Sequence, residues 1–384
     1  MVTAMREVVI IDGIRTPIGR AGREQAYYKD VRGDDLGVAC VKRLIERSPA
    51  LNPAEIEDVV WGCANQSGDQ SLNIGRMIAL LAGLPVEVAG ATIDRQCGSS
   101  LQAVNFGAQE IMCGAGDVVI AGGVENMSHV PMGAGVNPNP KLLEMFPPEM
   151  YLMGMTAERL AEMYKITRAQ ADAFALRSNQ RAVAARDRFK TEIVPITLPG
   201  GPTVDVDQGP RAETTIEKLA ALKPSFIPNG QVTAGNSSQV SDGAAAVLLM
   251  SADRAKSLGL KPKVRIRATA VAGVRPEIMG WGPVPAAHKA LARAGLKPDD
   301  IGLWEINEAF AAQVLACNTD LAIDEEKLNV NGGAIALGHP LGCSGARLTV
   351  TLIHEMIRRG TPLGVATMCI GIGQGIATVF EQVY

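Results

Sequence analysis

Aromatic side chains are scarce in this chain, only 4% of 384 residues, and the formal net charge is just −3. The near-neutral balance gives no reason to expect nucleic acid or an anionic membrane as partner. Long apolar runs are missing too. Ala244 to Met250 is about the longest, far short of the ~18 residues a membrane span needs. The seven cysteines are odd in number and contain no C-x-x-C pair, which argues against a disulfide framework or structural zinc. Met1 to Glu7 runs directly into an apolar strand, leaving no room for a signal peptide, and Glu381 to Tyr384 is no peroxisomal or ER address. Cytoplasmic localisation is the expectation.

What the chain has is aliphatic bulk and glycine. Hydrophobic residues make up 47%, charged residues 20%, and there are 41 glycines. That suits a closely packed α/β protein with many strand-to-helix turns. The length allows two or three domains, or one large duplicated unit. Val8–Ile11, Asp58–Cys63 and Asp117–Gly123 read as strands, the last all-apolar like a strand covered on both faces. Helices are expected from Asp34 (as N-cap) to Glu46, from Asn73 to Leu81, and from Ser100 to Met112.

From about residue 124 to 240 the texture changes. Residues 127 to 163 hold seven of the fifteen methionines, and Pro131 to Pro148 is rich in Pro and Gly. Helices are expected over Thr156–Tyr164 and Arg168–Phe189, the second opening on a Thr167/Gln170 capping box. Methionines fill irregular gaps or line adaptable apolar surfaces, and both readings stay open here. The division expected is 1–123 with 241–262 as a first half, 124–240 as an insertion, and 263–384 as a second half. Ala244–Met250 reads as helix or strand, Val264–Val271 as a strand, Pro285–Ala294 as a helix, and Leu303–Phe310 as a strand passing into a helix. The halves look alike. Gly98-Ser99-Ser100 before one helix parallels Cys343-Ser344-Gly345 before another, and each helix leads to a glycine-ended strand.

The chemistry gathers on three glycine-flanked stretches. Cys97 lies in Asp94-Arg95-Gln96-Cys97-Gly98-Ser99-Ser100, a turn opening a helix, where a thiolate is favoured and the thiol pKa should fall. His339 lies in Gly338-His339-Pro340-Leu341-Gly342 ahead of a helix expected over Ala346–Arg359, and can deprotonate a thiol or donate to an oxyanion. Cys369 ends a strand before Gly371, Gly373 and Gly375, where backbone can approach a ligand closely. Cys40, Cys63, Cys113 and Cys317 sit in apolar segments and read as small buried hydrophobes, while Cys343 is left between packing and reactivity. The spacing Gly371-x-Gly373-x-Gly375 is not a dinucleotide loop.

Four motifs in order, Arg95-Gln96-Cys97-Gly98-Ser99-Ser100, Asn307-Glu308-Ala309-Phe310, Gly338-His339-Pro340-Leu341-Gly342 and Cys369-Ile370-Gly371-Ile372-Gly373-Gln374-Gly375, resemble the thiolase family. The likeness runs from Arg15-Thr16-Pro17 to the C-terminal strand and is closest to the bacterial β-oxidation branch. It implies a five-layer αβαβα fold of two similar halves, the first interrupted by a loop domain that binds CoA and the acyl chain. It also implies roles. Cys97 would be the nucleophile and His339 its base. Cys369 would be the second acid/base, Asn307 would hold a water against the enolate oxygen, and the N–H groups of Cys97 and Gly371 would form an oxyanion hole. Ser238 and Arg211 would contact CoA, and Met153, Phe310 and Met279 would line the pocket. CoA would be a co-substrate, with no permanently bound cofactor and no metal.

The resemblance further implies acyl-CoA as partner, a homodimer or homotetramer, and room for a complex with a hydratase/dehydrogenase subunit. Leu152, in Tyr151-Leu152-Met153-Gly154, stands where biosynthetic relatives place histidine, which favours thiolytic cleavage of 3-ketoacyl-CoA. Acetoacetyl-CoA synthesis is the nearest alternative. A ketoacyl synthase would not need Cys369, and a non-catalytic lipid carrier would be expected to have lost part of the Cys/His/Cys set. A cysteine hydrolase is disfavoured because no acidic or amide partner for His339 is evident in the sequence.

Overall fold

The structure, a computed structural model, describes residues 5–22, 24–147, 150 and 152–383. Among them twelve strands form: β1 Val8–Arg15, β2 Gly19–Arg20, β3 Asp58–Gly62, β4 Ala89–Ile93, β5 Val118–Asn126, β6 Ile196–Thr197, β7 Thr203–Val204, β8 Ser241–Ser251, β9 Val264–Gly273, β10 Leu303–Ile306, β11 Leu363–Ile370 and β12 Gln374–Gln382. Ten of them make one sheet in the order β10-β11-β12-β9-β1-β8-β5-β3-β4, with β2 added on β8. β6 and β7 form a separate ribbon.

The sheet order records a duplication. β3 pairs parallel with β5, β5 antiparallel with β8, and β8 antiparallel with β1. In the second half β10, β11, β12 and β9 follow each other with the same succession of directions. The two sets meet where β1 and β9 pair antiparallel over only Val9–Ile10 and Val264–Arg265. Even the parallel partner of β3, β4, has an echo in the bridge of Trp304 to Leu328.

Alternation along the strands distributes the core into layers. Val9, Ala246 and Leu248 pack against the helices Gly33–Arg47 and Ile74–Leu81 through Leu36, Val41 and Ile78. Val8, Ile10, Val247, Leu249, Met368 and Phe380 face the opposite way, onto Leu101, Val104, Leu348 and Leu352. Those last residues belong to the helices Ser99–Cys113 and Leu341–Arg359, which lie between the halves. Val365, Ala377 and Val379 turn outward onto the helices Pro283–Ala294 and Ala311–Leu321. Helix, sheet, helix, sheet, helix is the resulting five-layer order.

Between β5 and β8 the chain adds helices at Pro140–Met145, Met153–Tyr164, Arg168–Ala184, Arg186–Phe189 and Ile216–Ala220. Besides the β6–β7 ribbon, it reaches β1 through a bridge from Ile193 to Arg15. No described helix is long and apolar enough to cross a membrane.

Several local expectations need correcting. Of the two forms left open for Ala244–Met250 the strand is the one that forms, over residues 241–251, and its burial on both faces between β1 and β5 explains the missing period-2 alternation. The helix near Asp34 starts at Gly33 with Arg32 as N-cap, and the Asp34 carboxylate is engaged by the Arg32 guanidinium at 2.8 and 2.9 Å. The long helix after Thr167, whose capping box does form, divides at Ala185. The helix after His339 begins at Leu341, five residues early. Cys113, the last residue of its helix, is exposed.

Candidate active site

The Cys97 turn leaves β4 through Gln96, which adopts φ +47°, a left-handed conformation that costs a side-chain-bearing residue roughly 1 kcal/mol or more. Ser99 holds the turn by donating to Gln96 O at 2.6 Å and accepting from Arg95 N–H at 3.0 Å. Cys97 is half-buried just ahead of the helix Ser99–Cys113. Burial dominates at the sulfur and pushes the thiol up to about 11, although the N–H groups of Gly371 and of Cys97 itself pull the other way. The expected fall in pKa is thus reversed. Loss of solvent outweighs two amides and a helix start, so the resting group is a thiol that needs a base.

Cys369 stands opposite on β11, 1% exposed. It clusters with Ala157, Val232, Met279, Ala309 and Phe310, and Met153 packs against the group. The three predicted pocket residues therefore do meet at Cys369. Burial first, and then the neighbouring Cys97 and Cys317, raise this thiol well above the ordinary range. Gly371 opens the turn to β12, where Ile372 and Gly373 are both left-handed. A Cβ on Gly371 would lie 3.8 Å from Met153 Sδ and 3.9 Å from Gln96 Cγ, which puts this backbone between the pocket and the Cys97 turn.

His339 follows Gly338, where φ is +113° and a Cβ would stand 2.2 Å from Ser241 Oγ, so only glycine fits. The imidazole is buried. Its Nδ1 lies 2.5 Å from Ser344 Oγ, and Ser344 Oγ in turn donates to Pro340 O at 2.9 Å. Its Nε2 lies 3.3 Å from Asn307 Nδ2, while Asn307 Oδ1 is buried with no hydrogen-bond partner among the described residues. Burial, and secondarily the Arg347 charge, lower the histidine to about 3. It is a neutral base at any physiological pH. Among the described residues no hydrogen bond joins it to the Cys97 sulfur.

Backbone contacts lock these loops together. A Cβ on Gly123, at the end of β5, would meet Gly342 O at 2.1 Å, Ser100 Cβ at 2.6 Å and Gly62 O at 2.8 Å. Ala346 N–H donates to Ser100 Oγ at 2.8 Å, so the first turns of the two central helices touch. Glu125 supports both sides, accepting from Ala64 N–H, Asn65 N–H and Gly342 N–H at 3.0, 3.1 and 2.8 Å. Two neighbouring protonated thiols, and a neutral imidazole set against an asparagine amide, are groups that can exchange an acyl group and move protons.

Comparison with known proteins agrees with this chemistry. Residues 8–253 match "Thiolase, N-terminal domain" and residues 260–382 match "Thiolase, C-terminal domain". The chain belongs to the thiolase family. It is 52% identical to a "3-ketoacyl-CoA thiolase" of Marinobacter nauticus, over 98% of this chain and 99% of that one. It is 51% identical to the "3-ketoacyl-CoA thiolase FadA" of Escherichia coli, over 99% and 100%. A crystal structure of the Bacillus anthracis acetyl-CoA acetyltransferase matches with a TM-score of 0.91 at 43% identity, over 99% of this chain and 100% of that one. The human mitochondrial 3-ketoacyl-CoA thiolase matches with a TM-score of 0.91 at 40% identity, over 99% of each.

In this thiolase the two remaining predicted residues, Ser238 and Arg211, do not share one cleft. Ser238 is half-buried and donates its N–H to Ala309 O at 2.9 Å, beside the bridge of Ser237 to Phe310. Arg211 is exposed and lines a cleft of about 200 Å³ with Lys218, Gly235 and Gln239, a lining that does not include Ser238. Leu152 is the exposed N-cap of the helix Met153–Tyr164, and Tyr151 lies outside the described residues. A cleft of about 740 Å³ runs past Met155, Glu158, Arg159 and Glu277, and neither Cys97, Cys369 nor His339 lines it. The chemistry, and not cavity size, locates the site.

Sequence reasoning missed Ser344 as the partner of His339, and Glu125 as the brace of the His339 turn. Ser344 had a signal, since a hydroxyl in the first turns of a helix can fold back on the preceding loop. Glu125 offered none beyond a carboxylate ending an apolar strand.

Proposed function

We propose that this chain is a 3-ketoacyl-CoA thiolase, an acyltransferase that cleaves 3-ketoacyl-CoA with CoA to give acetyl-CoA and a shortened acyl-CoA. The supporting observation is Cys97 beside the Gly371 N–H and Cys369, with a neutral His339 against Asn307, whose N–H bonds Thr367 O on the strand that carries Cys369. In this reading His339 Nε2 takes the Cys97 proton as sulfur attacks the 3-keto carbon. The C2–C3 bond then breaks, and the acetyl-CoA enolate takes a proton from the Cys369 thiol. Incoming CoA gives its proton to the Cys369 thiolate and attacks the acyl-sulfur bond, and Cys97 leaves with the proton held on His339. Cys97 and Gly371 N–H groups stabilise the tetrahedral oxyanion, and Asn307 the enolate oxygen through a water. Each half-reaction thus has one thiol for the carbon and another for the proton.

The 124–240 segment is assigned to CoA and acyl binding, with Arg211 at the polar end and Met153, Met279 and Phe310 at the acyl end. At least a homodimer is inferred. β4 is an open sheet edge, and Leu72, Met77, Leu80, Leu81 and Val86 beside it are exposed.

Leu152 and the methionine-rich helix start favour longer acyl chains. Each methylene buried there contributes about 0.8 kcal/mol at most, close to fourfold in affinity. With half of that realised, kcat/KM for thiolysis should rise at least about tenfold from the C4 to the C8 substrate. The assay follows CoA-dependent loss of the Mg²⁺-enolate absorbance of C4, C8 and C12 3-ketoacyl-CoA. A flat or falling profile would identify an acetoacetyl-CoA enzyme, and no CoA-dependent cleavage at any length would end the proposal.

A further inference from the structure

We infer that Ser344 is the positioning residue that decides which nitrogen of His339 serves as the base, an inference that rests on reading His339 as the base for Cys97. Pro340 O is a carbonyl and can only accept, and it takes the Ser344 hydroxyl proton at 2.9 Å beside the N–H groups of Cys343 and Ser344. With that proton on Pro340 O, Ser344 Oγ accepts from Nδ1 in the 2.5 Å contact with His339, and the Asn307 Nδ2 donor facing Nε2 fits the same tautomer. The neutral ring carries one proton, so Nε2 is left with its lone pair, facing the Asn307 amide at 3.3 Å. Ser344 is itself 1% exposed, so no water competes for that hydroxyl.

The choice of a hydroxyl has a consequence for the charge on the ring. A carboxylate at Nδ1 would orient the imidazole and also stabilise its cation, as in an acid–histidine–nucleophile triad. Ser344 orients without charging. The ionisable groups packed around this end do not replace the missing carboxylate. Arg347 is a cation paired with Glu305 at 3.2 Å, Glu125 is spent on backbone N–H groups including Gly342, and Glu308 is held by Ser178, Asn329 and the Ile335 N–H. His339 therefore holds a proton only during the reaction and returns it readily. That matches a cycle in which Cys97 must be deprotonated for attack and reprotonated as a leaving group.

The test uses the full-length enzyme carrying Ser344→Ala, Ser344→Asp or His339→Asn, with thiolysis followed against pH and substrate concentration. Ser344→Ala removes one buried oxygen and should lower kcat about 10- to 100-fold, the usual cost of losing an orienting partner, with KM within about twofold. Ser344→Asp supplies the carboxylate and should move the acid limb of kcat upward by at least about one pH unit, which a purely structural role would not do. Wild-type kcat in a folded Ser344→Ala, or an unmoved acid limb in Ser344→Asp, would overturn the inference. His339→Asn separates the two readings. Full activity there removes the base itself, whereas an inactive His339→Asn beside an unaffected Ser344→Ala removes only the role of Ser344.

Discussion

Gly123→Ala is a one-methyl perturbation placed where the two halves touch. Its Cβ would stand 2.1 Å from Gly342 O, 2.6 Å from Ser100 Cβ and 2.8 Å from Gly62 O. Ordinary carbon contacts lie near 3.5 Å, so the nearest atom must retreat by about 1.4 Å. None of the three neighbours is the free end of a long side chain. Two are backbone, and Ser100 is fixed by its bond from Ala346 N–H. Gly342 belongs to the turn that carries His339, and Ser100 to the helix that follows Cys97, so the strain moves the base and the nucleophile apart. Misplacement by about 1 Å costs on the order of 10²-fold in rate, and overpacking about 1–3 kcal/mol in stability. Steady-state thiolysis and denaturant unfolding of Gly123→Ala should show both losses. Gly273→Ala is the control, since its Cβ would meet nothing within 4 Å, and it should stay within about 0.5 kcal/mol of wild type. A folded Gly123→Ala with kcat within about threefold of wild type would refute the reasoning.

Two further outcomes follow from the titrating groups. Cys369→Ala should still accept an acyl group from an activated thioester on Cys97, while C–C cleavage slows by about 10²- to 10⁴-fold; equal loss of both steps would contradict the division between the thiols. His339 is lowered from about 6.5 to about 3 by folding, so the unfolded chain binds the extra proton in between. Its contribution is fully present above pH 6.5 and is lost as the pH falls toward 3. His354, lowered by burial, adds in the same direction, and His129, raised by its Asp69 partner against its burial, opposes it. Denaturant midpoints between pH 7 and 5 should therefore fall less steeply in His339→Asn than in wild type, and identical slopes would count against a buried neutral imidazole.

The site was legible because its residues announce themselves locally. Cys97, His339 and Cys369 each sit among glycines in the sequence. The duplication was legible as repeated helix–strand texture. Contacts made across the chain were not. The β1–β9 pairing joins residues some 250 apart through two register positions and leaves no local pattern. β8 was ambiguous because full burial on two faces erases the alternation that marks a strand. Arg32 displaced Asp34 from the cap because a charged pair two residues apart engages the carboxylate instead. The direction of the Cys97 shift depends on how much solvent the surrounding loops exclude, and a helix start in sequence says nothing of that.

The central claim is that Cys97 alone carries the acyl group. Brief exposure to acyl-CoA, quenching in acid and peptide mass spectrometry test it most directly. One acyl adduct on the Cys97 peptide is expected, absent from Cys97→Ala, which should lose thiolysis essentially completely. Cys343 is fully buried with its thiol pushed up to about 12, and should stay unmodified. A stable adduct on Cys343 or Cys369 with Cys97 free would contradict the account.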